Sequence, residues 1–260
     1  MLTTNYVPGT PTWIDLGSPD IDASVAFYGQ VFGWDVQSAG PESGGYGFFL
    51  SDGKMVGGIG PLTDEGASPA WTLYFHTSDA DATTKLVEDA GGAVRVPPGD
   101  VFEFGRMAAY TDPTGAEFAV WQPAQTRGME VAGVPGALSW TELYTTDGPG
   151  AKDFYRAVFG CNADDKDMGE VVYSVVSSPE AEGADTGQGG IMQLHQDNLD
   201  AGNLSEWHPY FGVTDCDATA ARATEAGAAT LIPVMDVPGI GRMAMFQDPM
   251  GAPFAILQAE

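Results

Sequence analysis

The chain predicts an α+β protein built from four tandem βαβββ units that form two curved-sheet domains. Two repeated blocks carry that prediction. FYGQVFGW, beginning at Phe27, returns as FYRAVFGC 127 positions later at Phe154, and FGRMAAYTDPTGAEFAVWQ, beginning at Phe104, returns as IGRMAMFQDPMGAPFAILQ 136 positions later at Ile240. Blocks repeated in the same order at nearly constant offset mark a duplicated domain. With 260 residues, each copy has enough chain to bury a core of its own.

The elements follow in order. TWIDL (12–16) reads as a strand. SPDIDASVAFYGQVFG then gives a helix with Ser18 as N-cap, Pro19 at the first helical position and Gly33 as the stop. Ile21, Val25, Tyr28 and Phe32 fall on one face of it and should cover the outer side of a sheet. Short strands follow at YGFFLSDG, with a turn at Asp52-Gly53, and at MVGGIG.

The second half-unit opens with the strand WTLYFH (71–76), followed by a helix from Ser78 to Ala90 that stops at Gly91-Gly92. Strands at AVRVP, GRMAAYTD and EFAVWQ complete it, with a DPTG turn at 112–115. The second copy repeats the plan with SWTELY, a helix near 149–159, VVYSVV, GGIMQL, HPYFGV, a helix near 215–226, TLIPV, GRMAMFQD and PFAILQ. QPAQTRGMEVAGVP is rich in turn formers, so the first domain is read as 1–125, the linker as 126–134 and the second domain as 135–260. A four-stranded sheet carrying one helix leaves a bare concave face, and pairing two such units buries it and leaves a cleft.

Composition narrows the function. A formal charge of −26, from 36 acidic and 10 basic residues, repels phosphate backbones and anionic membranes. Nucleic acid and membrane are therefore not expected partners; a small-molecule ligand is. No apolar run reaches the roughly 20 residues of a membrane span, and MLTTNYVPGT has no secretory pattern. A cytoplasmic monomer or homodimer is expected. Cys161 stands where the first copy has Trp34, and Cys216 where it has Ala80; neither makes a metal spacing or a C-x-x-C pair, so both read as small buried thiols.

FY-x-x-V-F-G at a helix end, D-x-D-A at a helix start and D-P-x-G-A before a last apolar strand together resemble the vicinal oxygen chelate superfamily. That superfamily includes glyoxalase I, extradiol dioxygenases and bleomycin-resistance proteins. G-T-P-x-W-x-D-L near the start and G-R-M near the end of each copy are similar to a two-domain actinobacterial subgroup labelled glyoxalase-like or hydroxylase. The resemblance implies a divalent metal held by His, Gln or Glu on inner strand faces. At the corresponding positions this chain has Trp13 and Trp140, Thr72 and His208, and Ala119 and Ala255, while the remaining ligand strand offers only Gly57-Gly58 and Gly189-Gly190. A catalytic ion needs three or more protein ligands. The expectation is therefore no cofactor, with a divalent metal ion bound in the second domain as the alternative.

Strand alternation fills in the inner face, because residues two apart share a side. Trp13 goes with Asp15, Trp140 with Glu142, and His208 with Tyr210, while Tyr74 lies two residues from Thr72. These residues read either as a pocket for a small aromatic or carbonyl-containing molecule or as barrel filling. His208 beside Glu142 is the candidate for catalysis, since a neighbouring carboxylate raises an imidazole's basicity and fixes its tautomer; a ligand contact or a structural hydrogen bond are the other readings. Arg106 and Arg242, retained in both copies, bridge Asp15 or Glu142, or grip a ligand. His76 and His195 read as surface or loop residues. Whether the protein only sequesters its ligand or acts on it as a lyase, isomerase or oxygenase stays open.

Overall fold

The structure, a computed structural model, describes residues 2–62, 66–167, 172–181 and 186–260. The first copy contributes β1 (Pro11–Ser18), α1 (Ile21–Phe32), β2 (Asp35–Ser38), β3 (Gly47–Ser51), β4 (Lys54–Pro61), β5 (Ala70–His76), α2 (Ala80–Asp89), β6 (Ala93–Val101), β7 (Gly105–Thr111) and β8 (Glu117–Pro123). The second contributes β9 (Leu138–Thr145), α3 (Gly148–Phe159), β10 (Asn162–Asp167), β11 (Val172–Ser177), β12 (Gly187–Gln193), α4 (Gln196–Asp200), β13 (Glu206–Gly212), α5 (Cys216–Glu225), β14 (Ala229–Val237), β15 (Gly241–Gln247) and β16 (Pro253–Ala259). Each copy supplies one eight-stranded sheet, in the order β2-β3-β4-β1-β5-β8-β7-β6 and β10-β11-β12-β9-β13-β16-β15-β14. Val171, which opens the expected strand VVYSVV, lies outside the described residues. Among the described residues no helix is long and apolar enough to cross a membrane.

Local chemistry explains the helices and shifts two expectations. The N-cap of α1 is Asp20, whose side chain accepts from the Ala23 amide, and Gly33 ends the helix in the left-handed conformation with φ 75°. Ser18 stays in β1, and its hydroxyl meets Asp20 and Ser24 instead. The buried face of α1 is Ser24, Phe27, Tyr28 and Val31, which shares only Tyr28 with the expected Ile21-Val25-Tyr28-Phe32 stripe. Asp79, Asp147 and Asp215 cap α2, α3 and α5 in the same way. The edge strands β2 and β10 are polar and largely exposed, a pattern that gives no period-2 signal and discourages edge-to-edge pairing.

Two compact units organise the chain, and each combines a half-unit from both copies. One comprises Met1–Thr12, Leu73–Gly128 and Thr141–Trp207; the other comprises Trp13–Thr72, Met129–Trp140 and His208–Glu260. In the second unit, the buried Tyr28 hydroxyl donates to Asp248 Oδ2 at 2.9 Å and accepts from Trp71 Nε1 at 2.9 Å. Rings of Phe27, Trp34, Phe49 and Phe254 surround it. In the first unit, Tyr155 donates to Asp112 Oδ2 at 3.0 Å and accepts from Trp207 Nε1 at 2.8 Å. Burial, then the facing carboxylate, hold both phenols well above their ordinary pKa, so both stay protonated donors.

Each aspartate has a second task. Asp248 Oδ1 accepts from the amides of Met250, Gly251 and Ala252, and Asp112 Oδ1 from those of Thr114 and Ala116, which shapes the D-P-x-G turns. The tyrosine of the FY block in one copy is thus tied to the turn of the D-P-x-G block in the other. Tyr28→Phe and Tyr155→Phe should each cost about 1–3 kcal/mol in urea unfolding, because a buried carboxylate and an indole N–H lose their partner. Asp248→Ala should cost more than Tyr28→Phe, since the turn is lost as well; the reverse order would contradict this assignment.

Candidate functional site

On β1, Ile14 and Leu16 point into the aromatic core of their unit and are fully buried, so Trp13 and Asp15 occupy the other face. Trp13 Nε1 donates to the Tyr46 hydroxyl at 3.0 Å, and that hydroxyl donates to Asp15 Oδ2 at 3.1 Å. Phe48 meets both rings edge-on, with centroids 6.0 Å from Trp13 and 5.8 Å from Tyr46. Parallel pairing of β1 with β4 sets Gly58 opposite Asp15. A Cβ on Gly58 would overlap the Tyr46 hydroxyl, so only glycine leaves the phenol room to reach Asp15. Desolvation, reinforced by Asp15, pushes the Tyr46 pKa well above its ordinary value, and the hydrogen bond from Trp13 offsets this only in part.

The second copy repeats the geometry. Gly190 on β12 pairs with Glu142 on β9, and a Cβ on Gly190 would overlap the Tyr173 hydroxyl. Glu142 and Tyr173 are buried, and Trp140 is half-buried. Sequence reasoning missed both tyrosines. Their signal was an aromatic hydroxyl kept in both copies ahead of the strand that carries the Gly-Gly pair.

The remaining candidates sit on other half-faces. Leu73 and Phe75 of β5 are core residues, so Tyr74 and His76 look the opposite way; pairing sets Tyr74 beside Ala119 and His76 beside Trp121. His76 therefore belongs to an inner face rather than to a loop. Its buried Nδ1 has no hydrogen-bond partner among the described residues, and desolvation, then Arg127, lowers its pKa against an opposing pull from Glu180. His195 is the residue before α4 and makes no capping bond with its side chain. On β13, His208 and Tyr210 are buried, with Tyr210 beside Ala255.

His208 differs from expectation in one respect: its pKa falls to about 4, driven by burial, where a neighbouring carboxylate was expected to raise it. Glu142 and His208 belong to different compact units. Arg106 and Arg242 lie on the helix-bearing face, alternating with Met107 and Met243. Arg106 donates to Asp81 at 3.0 and 3.2 Å and to Asp100 at 2.8 Å; Arg242 donates to Asp217 at 2.7 and 2.9 Å and to Asp236 at 2.7 Å. These pairs stand where bridges to Asp15 and Glu142 were expected, because each arginine faces the first turn of its half-unit's helix. Cys161 and Cys216 are buried free thiols, both pushed by burial to about 11.

Residues 10–120 match the model of the Glyoxalase/Bleomycin resistance protein/Dioxygenase superfamily, and residues 141–257 match that of the Glyoxalase-like domain. The chain belongs to this superfamily. Among its relatives, "Anthracycline biosynthesis protein DnrV" of Streptomyces peucetius is 42% identical over 98% of this chain and 95% of its own. "Anthracycline biosynthesis protein DauV" of Streptomyces sp. is 41% identical over the same shares. In fold, the chain is similar to the Mn(II)-bound glyoxalase from Novosphingobium aromaticivorans, with a TM-score of 0.65, 18% identity and coverage of 97% of this chain and 84% of that one. It is also similar to the 2,2',3-trihydroxybiphenyl 1,2-dioxygenase of Sphingomonas wittichii, with a TM-score of 0.66, 12% identity and coverage of 97% and 91%.

A divalent ion of the kind named for the manganese glyoxalase fits these residues poorly. Among the described residues no three His, Cys, Asp or Glu side chains gather as a ligand set. Of the six expected ligand positions, four hold tryptophan or alanine, one holds Thr72 and one keeps a histidine, His208, while tyrosine rings cover Gly58 and Gly190.

Two outcomes follow. Gly58→Ala should displace Tyr46 and shift the Trp13 fluorescence, because the methyl group and the hydroxyl compete for one volume; an unchanged spectrum in a folded variant would contradict the seat. His208 takes up its proton near pH 6.5 when unfolded and near 4 when folded. The unfolded state therefore binds more protons between those values, and stability falls as pH drops through that window. Between pH 7 and 5 the protein should lose about 2 kcal/mol more than His208→Leu does, measured by urea unfolding.

Proposed function

We propose that the protein binds a small planar aromatic molecule bearing carbonyl groups on the inner faces of its sheets, without a tightly held metal, and sequesters or modifies it. Each sheet, residues 1–125 and 135–260, serves as one binding domain. The Trp13–Tyr46–Asp15 chain carries this reading. It sets an indole ring and a carboxylate side by side on one strand face, with their relative position fixed by a phenol. Sites for small organic molecules combine aromatic walls with a few placed polar groups in this way. Two relatives named as anthracycline biosynthesis proteins, matched along nearly their whole length, support a fused-ring quinone as the guest. On this reading Trp13 and Trp140 supply stacking surface, and Asp15 and the neutral His208 supply hydrogen bonds.

Titration with 2-aminoanthraquinone tests the proposal. Saturable quenching of tryptophan fluorescence is expected, and Trp13→Leu should weaken binding by about tenfold, the scale of an aromatic stack on a planar guest. No saturable quenching, or an affinity unchanged in both Trp13→Leu and Trp140→Leu, would overturn it.

A further inference from the structure

The chain has six arginines and 36 acidic residues to pair with them. Arg95 pairs with Glu117, Arg106 with Asp81 and Asp100, Arg156 with Asp153, and Arg242 with Asp217 and Asp236, while Arg222 donates to the Val31 carbonyl. The exposed side chain of Arg127 makes no such bond among the described residues. Its charge falls on His76 and Tyr6 instead.

The backbone that carries both residues is tied down within one compact unit. Trp121 Nε1 donates to the Thr126 carbonyl at 2.8 Å, and Thr12 Oγ1 donates to the Arg127 carbonyl at 3.0 Å. Thr12 and the Tyr6 ring stand where a Cβ on Gly128 would lie, so only glycine lets this segment press onto the N-terminal residues. His76 is anchored to the same residues, its amide donating to the Thr10 carbonyl at 2.8 Å and its carbonyl accepting from the Gly9 amide at 2.9 Å. With Nδ1 enclosed and unpartnered among the described residues, the half-buried ring meets its surroundings through Nε2. A neutral imidazole holds one proton, and an enclosed N–H without an acceptor is the costlier orphan, which assigns that proton to Nε2.

We infer that His76 Nε2–H and the Arg127 guanidinium together bind the carboxylate of a small organic molecule. Both groups present donors, and the planar fork of an arginine matches the two oxygens of a carboxylate. Burial, then Arg127, lowers the His76 pKa, and the opposing pull of Glu180 is the weaker one. Positive charge therefore prevails at the ring, inside a chain of net charge −26. That overall charge repels a multiply charged anion more than a single one, which favours a carboxylate over a phosphate. This site goes beyond the proposed function, since it requires neither a quinone nor Trp13.

The test is an NMR titration of the full chain with benzoate and with benzamide, which has a similar shape and no charge. Benzoate should move the His76 ring signals saturably and raise the pKa of that ring, because a bound anion offsets Arg127. It should bind about tenfold more tightly than benzamide. Arg127→Gln alters an exposed side chain and should weaken benzoate about tenfold while leaving benzamide unchanged. Equal affinities for the two compounds, unmoved His76 signals, or an unchanged benzoate affinity in Arg127→Gln would overturn the site. Tighter binding of inorganic phosphate than of benzoate would overturn the carboxylate. The proposed function is read by 2-aminoanthraquinone quenching instead, so the two stand or fall separately.

Discussion

One carboxylate divided between two duties underlies this fold. Asp248 uses one oxygen to gather the amides of its own turn and the other to receive the Tyr28 proton, and Asp112 does the same for Tyr155. Neither duty is optional, because the aspartate is buried and an unsatisfied oxygen there would carry a full desolvation penalty. The arrangement explains why the two repeated blocks persist as a pair. A tyrosine from one copy completes a turn in the other, so the first FY block depends on the last D-P-x-G block, and the second FY block on the first. Duplication within one chain supplies both halves in fixed proportion.

The opposite strand faces follow from that commitment to the cores. With Ile14, Leu16, Leu73 and Phe75 drawn into the cores, strand alternation leaves Trp13, Asp15, Tyr74 and His76 on the opposite sides. There the positions at which the resemblance to metal-binding members implies ligands hold other residues, Trp13, Thr72 and Ala119 among them. A glycine takes the place of a side chain on the fourth strand, and a tyrosine from the neighbouring strand region lies across it. The phenol then engages Asp15 directly. Under the proposed function, that face offers hydrogen bonds to an organic group rather than ligands to an ion.

Much of the fold was legible in the residues. The repeats marked the unit, Gly33 marked the end of α1, and apolar periodicity located most strands. The N-cap of α1 fell on Asp20 rather than Ser18 because the strand runs on through Ser18, a decision made by sheet pairing and not by the cap residue. β2 and β10 were invisible because an exposed edge strand has no buried side to impose alternation. For the site, alternation placed Trp13 with Asp15, yet Tyr46 stayed hidden: its role depends on the ring crossing to Gly58, twelve residues away on another strand. His76 was misjudged because its face is set by pairing with Trp121. Arg106 and Arg242 were retained for their aspartates, which strand and helix bring together only in three dimensions.

On the proposed function, tyrosine and carboxylate rather than a cation define the inner face. Metal analysis of the purified protein, after equilibration with Mn(II) and removal of loosely bound ions, addresses this most directly. The account predicts far less than one ion per chain and no change in tryptophan emission. One tightly retained ion per chain would contradict it.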